Sequence, residues 1–385
     1  MRIIRIALRA ALVLAVLLAG LALWKREELG RLLAVNTLFE AENIVENFSH
    51  MDRLFHHRVL DRGTGPVAPL PSGAAMTLPP DAQEWITRRA VTALVVLREG
   101  ALVHESYHLG TGPEDLRISW SVAKSVLSAL FGTLHADGTL ADLDAQVVDF
   151  APDLRGSAYE GATIRDVLTM SSGVAFNEDY LDFNSDINKM GRVLALGGSM
   201  NAFAASLAAR AAEPGARMHY VSIDTHVLGM VIAGATGRDP VDLMQERIVA
   251  RMGLEASPIM LTDGDGTGFV LGGLNLRTRD YARIGQMFLQ GGQWQGEQIV
   301  PADWVAASTR HQAPGGAGYG YQWWVPVDSA QHGNDYQAQG IYGQFIYVNP
   351  ETRTVIAANM ADRNFEDAGV DAENLAMFRA IAQSD

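Results

Sequence analysis

The sequence predicts an α+β fold: one antiparallel sheet built from both chain ends, flanked by helices, with a helical subdomain inserted between its halves. Three observations carry this. A strand pair stands near residues 91–109, a helical tract fills 121 to about 260, and strand patterning returns after about 317. The first strand, 91–97, is rich in β-branched residues. It turns at Glu99-Gly100 and returns over 101–109 to Gly110. Residues 121–136 (SVAKSVLSALFGTLHA) are apolar nearly all round and read as a buried helix. From 139 to about 260 the pattern is helical with loops, broken at Gly197-Gly198 and between Gly234 and Gly237. Another helix is expected over 276–291, then strands over 319–325, 341–348 and 354–358, and a closing helix over 372–382. The organisation follows: a signal segment over 1–26, a helical stalk and Gly/Pro-rich connector over 27–80, and one domain over 81–385. In that domain the α/β part takes about 81–135 and 265–385, and the helical insertion about 136–264.

Composition narrows the function. With 48% hydrophobic and 19% charged residues the chain is ordinary globular protein, not disordered or coiled-coil. A net charge of −14 makes a poor grip on a phosphate backbone, so nucleic acid is not an expected partner. The absence of Cys excludes disulfides, thiol catalysis and Cys-ligated zinc. Of 30 basic residues only Lys25, Lys124 and Lys189 are lysine, so each stands out.

At the amino terminus Arg2, Arg5 and Arg9 precede an uncharged stretch, 10–24, closed by Lys25 and Arg26. Three readings stand: an uncleaved anchor helix with Trp24 at the interface, a cleaved signal peptide, for which Gly20-Leu21-Ala22 is the best cleavage site, or a buried amino-terminal helix. The first two export the rest of the chain and are the better reading, so the expected location is the inner membrane with the domain on the periplasmic side, or the periplasm after cleavage. Oligomeric state is not legible.

Chemistry concentrates in three places. Ser121 and Lys124 stand three residues apart at the start of the apolar helix, where i and i+3 share a face. A lysine buried there loses solvation and its pKa falls, so it can accept the serine proton; Arg could not. No other serine in the chain begins a Ser-x-x-Lys. The second place is Tyr220-Val221-Ser222, after the turn at Glu213-Pro214-Gly215; a tyrosine near a lysine ammonium can act as a general base. The third is Gly340-Ile341-Tyr342-Gly343-Gln344, whose glycines permit close approach of a ligand to strand N–H groups. Two features are set aside. His104-Glu105-Ser106-Tyr107-His108 spells the zincin His-Glu-x-x-His, but on a strand Glu105 points away from both histidines. The acidic run 177–182 reads as a solvated loop.

Taken together, these motifs resemble the serine hydrolases of the β-lactamase and penicillin-binding group, in particular class C β-lactamase-like esterases and 6-aminohexanoate-dimer hydrolases. The stretches ATIRDVLTMSSGV, YVSIDTHVLGMVIAGATG, GGLNLRTRDYARIG and GYGYQWW carry the same likeness, over roughly 85–380. The resemblance implies a β-lactamase/transpeptidase-like fold and a Ser121 nucleophile with Lys124 as partner base. It makes Tyr220 the acid/base for the leaving group, with Ser222 in support where many relatives have Asn. It also implies an oxyanion hole from the backbone N–H groups of Ser121 and Gln344. Tyr342, Gly343, Trp323 and Trp324 are the candidates to line a substrate pocket, the strand aromatics among them reading equally well as core. No metal or organic cofactor is called for. One departure matters: where β-lactamases have Lys-Thr-Gly this chain has Ile341-Tyr342-Gly343, so the cation for a β-lactam carboxylate is missing. The expected reaction is hydrolysis of a small-molecule ester or short amide. The rivals are a catalytically weak penicillin-binding-like sensing module, a β-lactamase, and a zinc metallopeptidase through His104, Glu105 and His108.

Overall fold

The computed structural model of the chain describes residues 2–384. Its main sheet holds five antiparallel strands: β1 (Val91–Arg98), β2 (Ala101–Tyr107), β3 (Tyr336–Gly340), β4 (Gln344–Asn349) and β5 (Thr354–Met360), in the order β2-β1-β5-β4-β3. The two chain ends meet where β1 pairs β5, with Val95 opposite Ala357. The helices that bear on the site are α1 (Arg2–Trp24), α2 (Arg26–Asn36), α3 (Val122–Ala136), α4 (Asp186–Ala195), α5 (Ile223–Thr236), α6 (Thr278–Leu289) and α7 (Val370–Gln383).

Alternation along the strands sorts side chains into two cores. Leu94, Val96 and Ile356 pack with Trp85 and with Phe378 of α7. Val95, Leu97 and Val355 face the opposite way, into the larger core shared with α3 and α6. Because helices cover both faces, the strands read as continuous apolar runs rather than alternating ones. On α6 the sheet comes so close that a Cβ at Gly285 would sit 2.5 Å from Val355 Cγ1 and 2.6 Å from Ile346 Cγ2. The apolar α3 crosses beneath the sheet and brings its first turn to the edge strand β3.

Three expectations are corrected. The segment 319–325 is not a strand: Gln322 adopts a left-handed φ of 63°, and its side chain bonds the carbonyls of Val167 and Leu168. The strand in this region is β3, at 336–340. The segment 27–80 is not a free-standing stalk. Leu38, Ile44, Phe48 and Met51 are buried in the main core, where their apolar area escapes water. His57–Val59 joins Ile259–Leu261, Leu274–Leu276 and Arg117–Ile118 in a small second sheet. Finally, among the described residues no helix is long and apolar enough to cross a membrane. The helix α1 has 23 residues, with Ile6, Leu12 and Leu17 exposed, but Arg5 and Arg9 lie within it. The uncharged remainder, 10–24, spans only ~22 Å at ~1.5 Å per residue, against a ~30 Å hydrocarbon core. The expected membrane helix and signal-anchor are therefore not supported.

The fit of α6 to the sheet is testable. Gly285→Ala should force the helix off the sheet or distort Val355 and Ile346, at a cost of about 1–3 kcal/mol. Thermal unfolding should show a lowered Tm; an unchanged Tm would mean the two layers separate without penalty.

Candidate active site

Ser121 sits at the N-cap of α3, a position where a serine hydroxyl usually bonds the helix's first free N–H groups. Here its side chain makes no capping bond, so Oγ is left for chemistry. The preceding residue, Trp120, holds a left-handed φ of 40°, a strained conformation for an aromatic residue that turns the chain sharply into the helix.

One turn along α3, Lys124 is 1% exposed. Its Nζ lies 2.8 Å from Ser121 Oγ, 3.1 Å from Ser222 Oγ and 2.9 Å from the carbonyl of Leu271. Burial drives its pKa down to about 7, although the carboxylate of Glu178 pulls the other way. A large fraction is therefore unprotonated at neutral pH, as an acceptor of the serine proton must be.

The segment before α5 brings the other hydroxyls. Ser222 caps α5, again without a side-chain capping bond, and its backbone N–H donates to Glu178 Oε1. Tyr220 is half-buried, its ring stacked on Trp324 at 5.3 Å and edge-on to Tyr319 at 6.1 Å. Lys124 Nζ lies 5.4 Å from the centroid of that ring, and the Tyr220 hydroxyl hydrogen-bonds with Ser121 and Ser222. Burial first, then Glu178, push the phenol well above its ordinary value. At working pH Tyr220 is thus a neutral proton donor rather than a standing phenolate.

Two acids beside Lys124, Glu178 half-buried and Asp224 buried, were given no role in the sequence. Glu178 belongs to the run expected to be a solvated loop, but its carboxyl is turned inward and engages Ser222 and Tyr180. Burial raises its pKa while Lys124 lowers it. Asp224 Oδ1 accepts from Tyr159 (2.7 Å) and Ser172 (2.8 Å), and burial pushes this carboxyl up to about 8, so it carries a proton at neutral pH. No spacing in the sequence marks either.

The sheet edge presses directly on the nucleophile. A Cβ at Gly340, the last residue of β3, would come within 3.0 Å of the Ser121 backbone N and 2.6 Å of the Ser119 carbonyl. Only glycine permits that approach. Ile341 follows and borders both cavities that open at Ser121. Gln344 does not border either: it pairs with Gly340 on β4, and its side chain bonds the Met360 carbonyl (2.8 Å) and Asn359 (3.0 Å). Ile341, three residues earlier, is the residue that borders the cleft, because the hairpin turn rather than the strand meets it. Of the two tryptophans that were pocket candidates, Trp323 takes the core alternative. It is fully buried, packed on Phe288 at 4.4 Å, while its neighbour Trp324 reaches the cleft.

The two cavities differ in kind. One, of about 280 Å³, is walled mainly by apolar side chains, with Asn36, Asn188 and Arg192 among its polar ones, and includes Tyr342. The other, of about 700 Å³, holds Tyr220, Trp324 and Gly343 together with Glu178, Asp179, Glu366, Asp367 and Asp371. The His-Glu-x-x-His pentapeptide is remote from both. His104 and His108 flank Ser106 on one side of β2, while Glu105 is paired with Arg279 at 2.7 and 2.6 Å. Among the described residues no group of three or more His, Cys, Asp or Glu could hold a metal.

Known proteins share the family and the fold of this chain. The Beta-lactamase family profile matches residues 82–379. A 6-aminohexanoate-dimer hydrolase of Paenarthrobacter ureafaciens is 29% identical over 301 residues, covering 74% of this chain and 76% of its own. A structure from Bacillus anthracis, assigned as a 6-aminohexanoate-dimer hydrolase, superposes with a TM-score of 0.80 at 22% identity, over 90% of this chain and 95% of that one. A D-stereospecific amidohydrolase from Streptomyces sp. shares the fold at a TM-score of 0.53 and 18% identity, over 75% and 98%.

Glu178 holds Lys124 towards its charged form. Glu178→Gln removes that pull, so the Lys124 pKa falls and the acid limb of Ser121 reactivity moves to lower pH. Fluorophosphonate labelling rates from pH 5 to 9 should show the midpoint about half a unit or more lower. A midpoint that stays or rises contradicts the assignment.

Proposed function

The chain belongs to the Beta-lactamase family, whose matched relatives are named hydrolases, and from that premise we propose that it cleaves an ester or short amide through an acyl-enzyme on Ser121. The observation that carries the proposal is the 2.8 Å contact between a buried amine of lowered pKa and a serine hydroxyl not used as a cap.

The steps follow from the geometry. Ser121 Oγ attacks the substrate carbonyl as its proton passes to Lys124 Nζ. The carbonyl oxygen becomes an anion, held by the backbone N–H groups of Ser121 and Ile341 at the first turn of α3 and the edge of β3. When the carbonyl re-forms, the leaving group departs with a proton from Tyr220. The Lys124 ammonium then reprotonates Tyr220, with Ser222 bonded to both. Water attacks the acyl-enzyme and gives up a proton to the same pair, which returns it to Ser121 Oγ as the acyl bond breaks. Two carboxylic groups frame the path: Asp224, protonated, adds no full negative charge, and Glu178 fixes Ser222.

The same geometry argues against a β-lactam substrate. Its carboxylate needs a cation on the sheet edge, and Ile341-Tyr342-Gly343 supplies none. The cavity holding Tyr220 is lined by five acidic side chains, Glu178, Asp179, Glu366, Asp367 and Asp371, which repel an anionic leaving group. The relative named for an amide dimer supports an amide as one of the bonds cleaved.

Substitution separates base from charge. Incubated with p-nitrophenyl acetate, the wild-type chain should gain the mass of an acetyl group, and Ser121→Ala should not. Lys124→Arg keeps the positive charge but cannot accept a proton, so kcat/KM should fall at least ~10²-fold. A folded Arg variant that keeps more than about a tenth of the activity, or acetyl carried on another serine, overturns the mechanism.

A further inference from the structure

We infer that the smaller cavity is the acyl-chain pocket of this hydrolase, and that it takes an uncharged aliphatic acyl group rather than an ω-amino one. The inference rests on the acyl-enzyme reading above.

The direction of binding comes first. Both cavities begin at Ser121, but Tyr220, the donor to the leaving group, borders only the larger. The leaving group therefore lies in the larger cavity. The other substituent of the carbonyl then points into the smaller one, past Trp120 and Leu271.

The chemistry of the pocket comes second. Its far walls are Ile187, Met190 and Leu194 of α4, with Phe269 opposite. None of its described lining residues is Asp or Glu. Its one charged side chain, Arg192, is already engaged: the guanidinium lies 4.1 Å from the Phe183 ring centroid and donates to the Phe183 carbonyl at 2.8 Å. An ammonium at the end of the acyl chain would lose its water and find no counter-charge, a costly burial. A methyl terminus would instead gain from every methylene removed from water. The relative from Paenarthrobacter ureafaciens is named for a substrate whose acyl chain carries an amine. The cavity in this chain points to the same chain without it.

The third observation is where the pocket's remaining wall comes from. Val35, Leu38, Phe39 and Phe55 line the pocket, and all lie outside the family match at 82–379. Phe39 is stacked on Tyr342 at 4.6 Å and 9°, which fastens this segment to the turn after β3. The amino-terminal segment thus closes the pocket and sets the length of chain it accepts.

A panel of p-nitrophenyl esters tests this on the full chain: acetate, hexanoate, decanoate and 6-aminohexanoate. Each buried methylene is worth roughly threefold to fourfold, so kcat/KM should rise at least ~30-fold from acetate to hexanoate and fall at least ~30-fold from hexanoate to 6-aminohexanoate. Two variants locate the effect. A Cβ at Gly191 on α4, which borders the cavity, meets nothing within 4 Å, so Gly191→Leu can fill the pocket without a clash. It should lower the hexanoate-to-acetate ratio about tenfold or more. Phe39→Ala opens the opposite wall and should raise the decanoate-to-hexanoate ratio. A flat chain-length profile, a 6-aminohexanoate rate within about threefold of hexanoate, or ratios unmoved in both variants overturns the pocket while Ser121 acylation stands. If no ester acylates Ser121, the hydrolase mechanism fails and this inference falls with it.

Discussion

Removing a lysine from water requires something to replace its hydration, and in this protein three oxygen atoms do so. Ser121 Oγ, Ser222 Oγ and the Leu271 carbonyl surround Lys124 Nζ, each from a different part of the chain. The site's architecture follows from that requirement. The amine reaches Ser121 because both lie in the first turn of α3. It reaches Ser222 because α5 begins there, and Leu271 because the chain then turns into the strand at 274–276. The same burial that requires these partners makes the amine neutral enough to serve as a base, so stability and chemistry share one cause.

Electrostatics around this centre are divided rather than uniform. On the Tyr220 side the wall is acidic and the phenol stays protonated, as a donor to the leaving group should be. On the other side the wall is apolar and its single guanidinium is held on an aromatic face. Asp224 is quenched by burial, with two hydroxyls donating to one oxygen, so the interior next to Lys124 carries less negative charge than the sequence count implies.

How much of this was legible in sequence depended on how local the signal was. Ser121 and Lys124 are one helical turn apart, and α3, α6 and α7 carry their own periodicity, so all were readable along the chain. The β1–β2 hairpin, with its turn at Glu99-Gly100, was equally plain. Long-range placement was not. Glu178 looked like one more residue of an acidic loop, and only folding turns it towards Ser222, 44 residues away. Trp323 and Trp324 are neighbours of opposite fate, one in the core and one in the cleft, because Gln322 in a left-handed conformation breaks the strand that adjacent aromatics suggested. That the turn between β3 and β4 brings Ile341 rather than Gln344 to the cleft was not legible, because the polar sequence YQAQG hides β3 itself. At the amino terminus, arginines inside α1 limit a stretch that hydropathy alone makes look like a span.

The state of the Lys124 amine is the quantity on which the account turns, and this chain suits its direct measurement. With only three lysines, a protein carrying 13C- and 15N-labelled lysine gives three side-chain signals. The Lys124 signal is identified by its loss in Lys124→Arg and followed from pH 5 to 11. The account predicts a titration at about 7, with the amine neutral above it. A Lys124 signal that stays protonated until about pH 10, the ordinary range of a lysine in water, would contradict a base at this position and with it the Ser121–Lys124 mechanism.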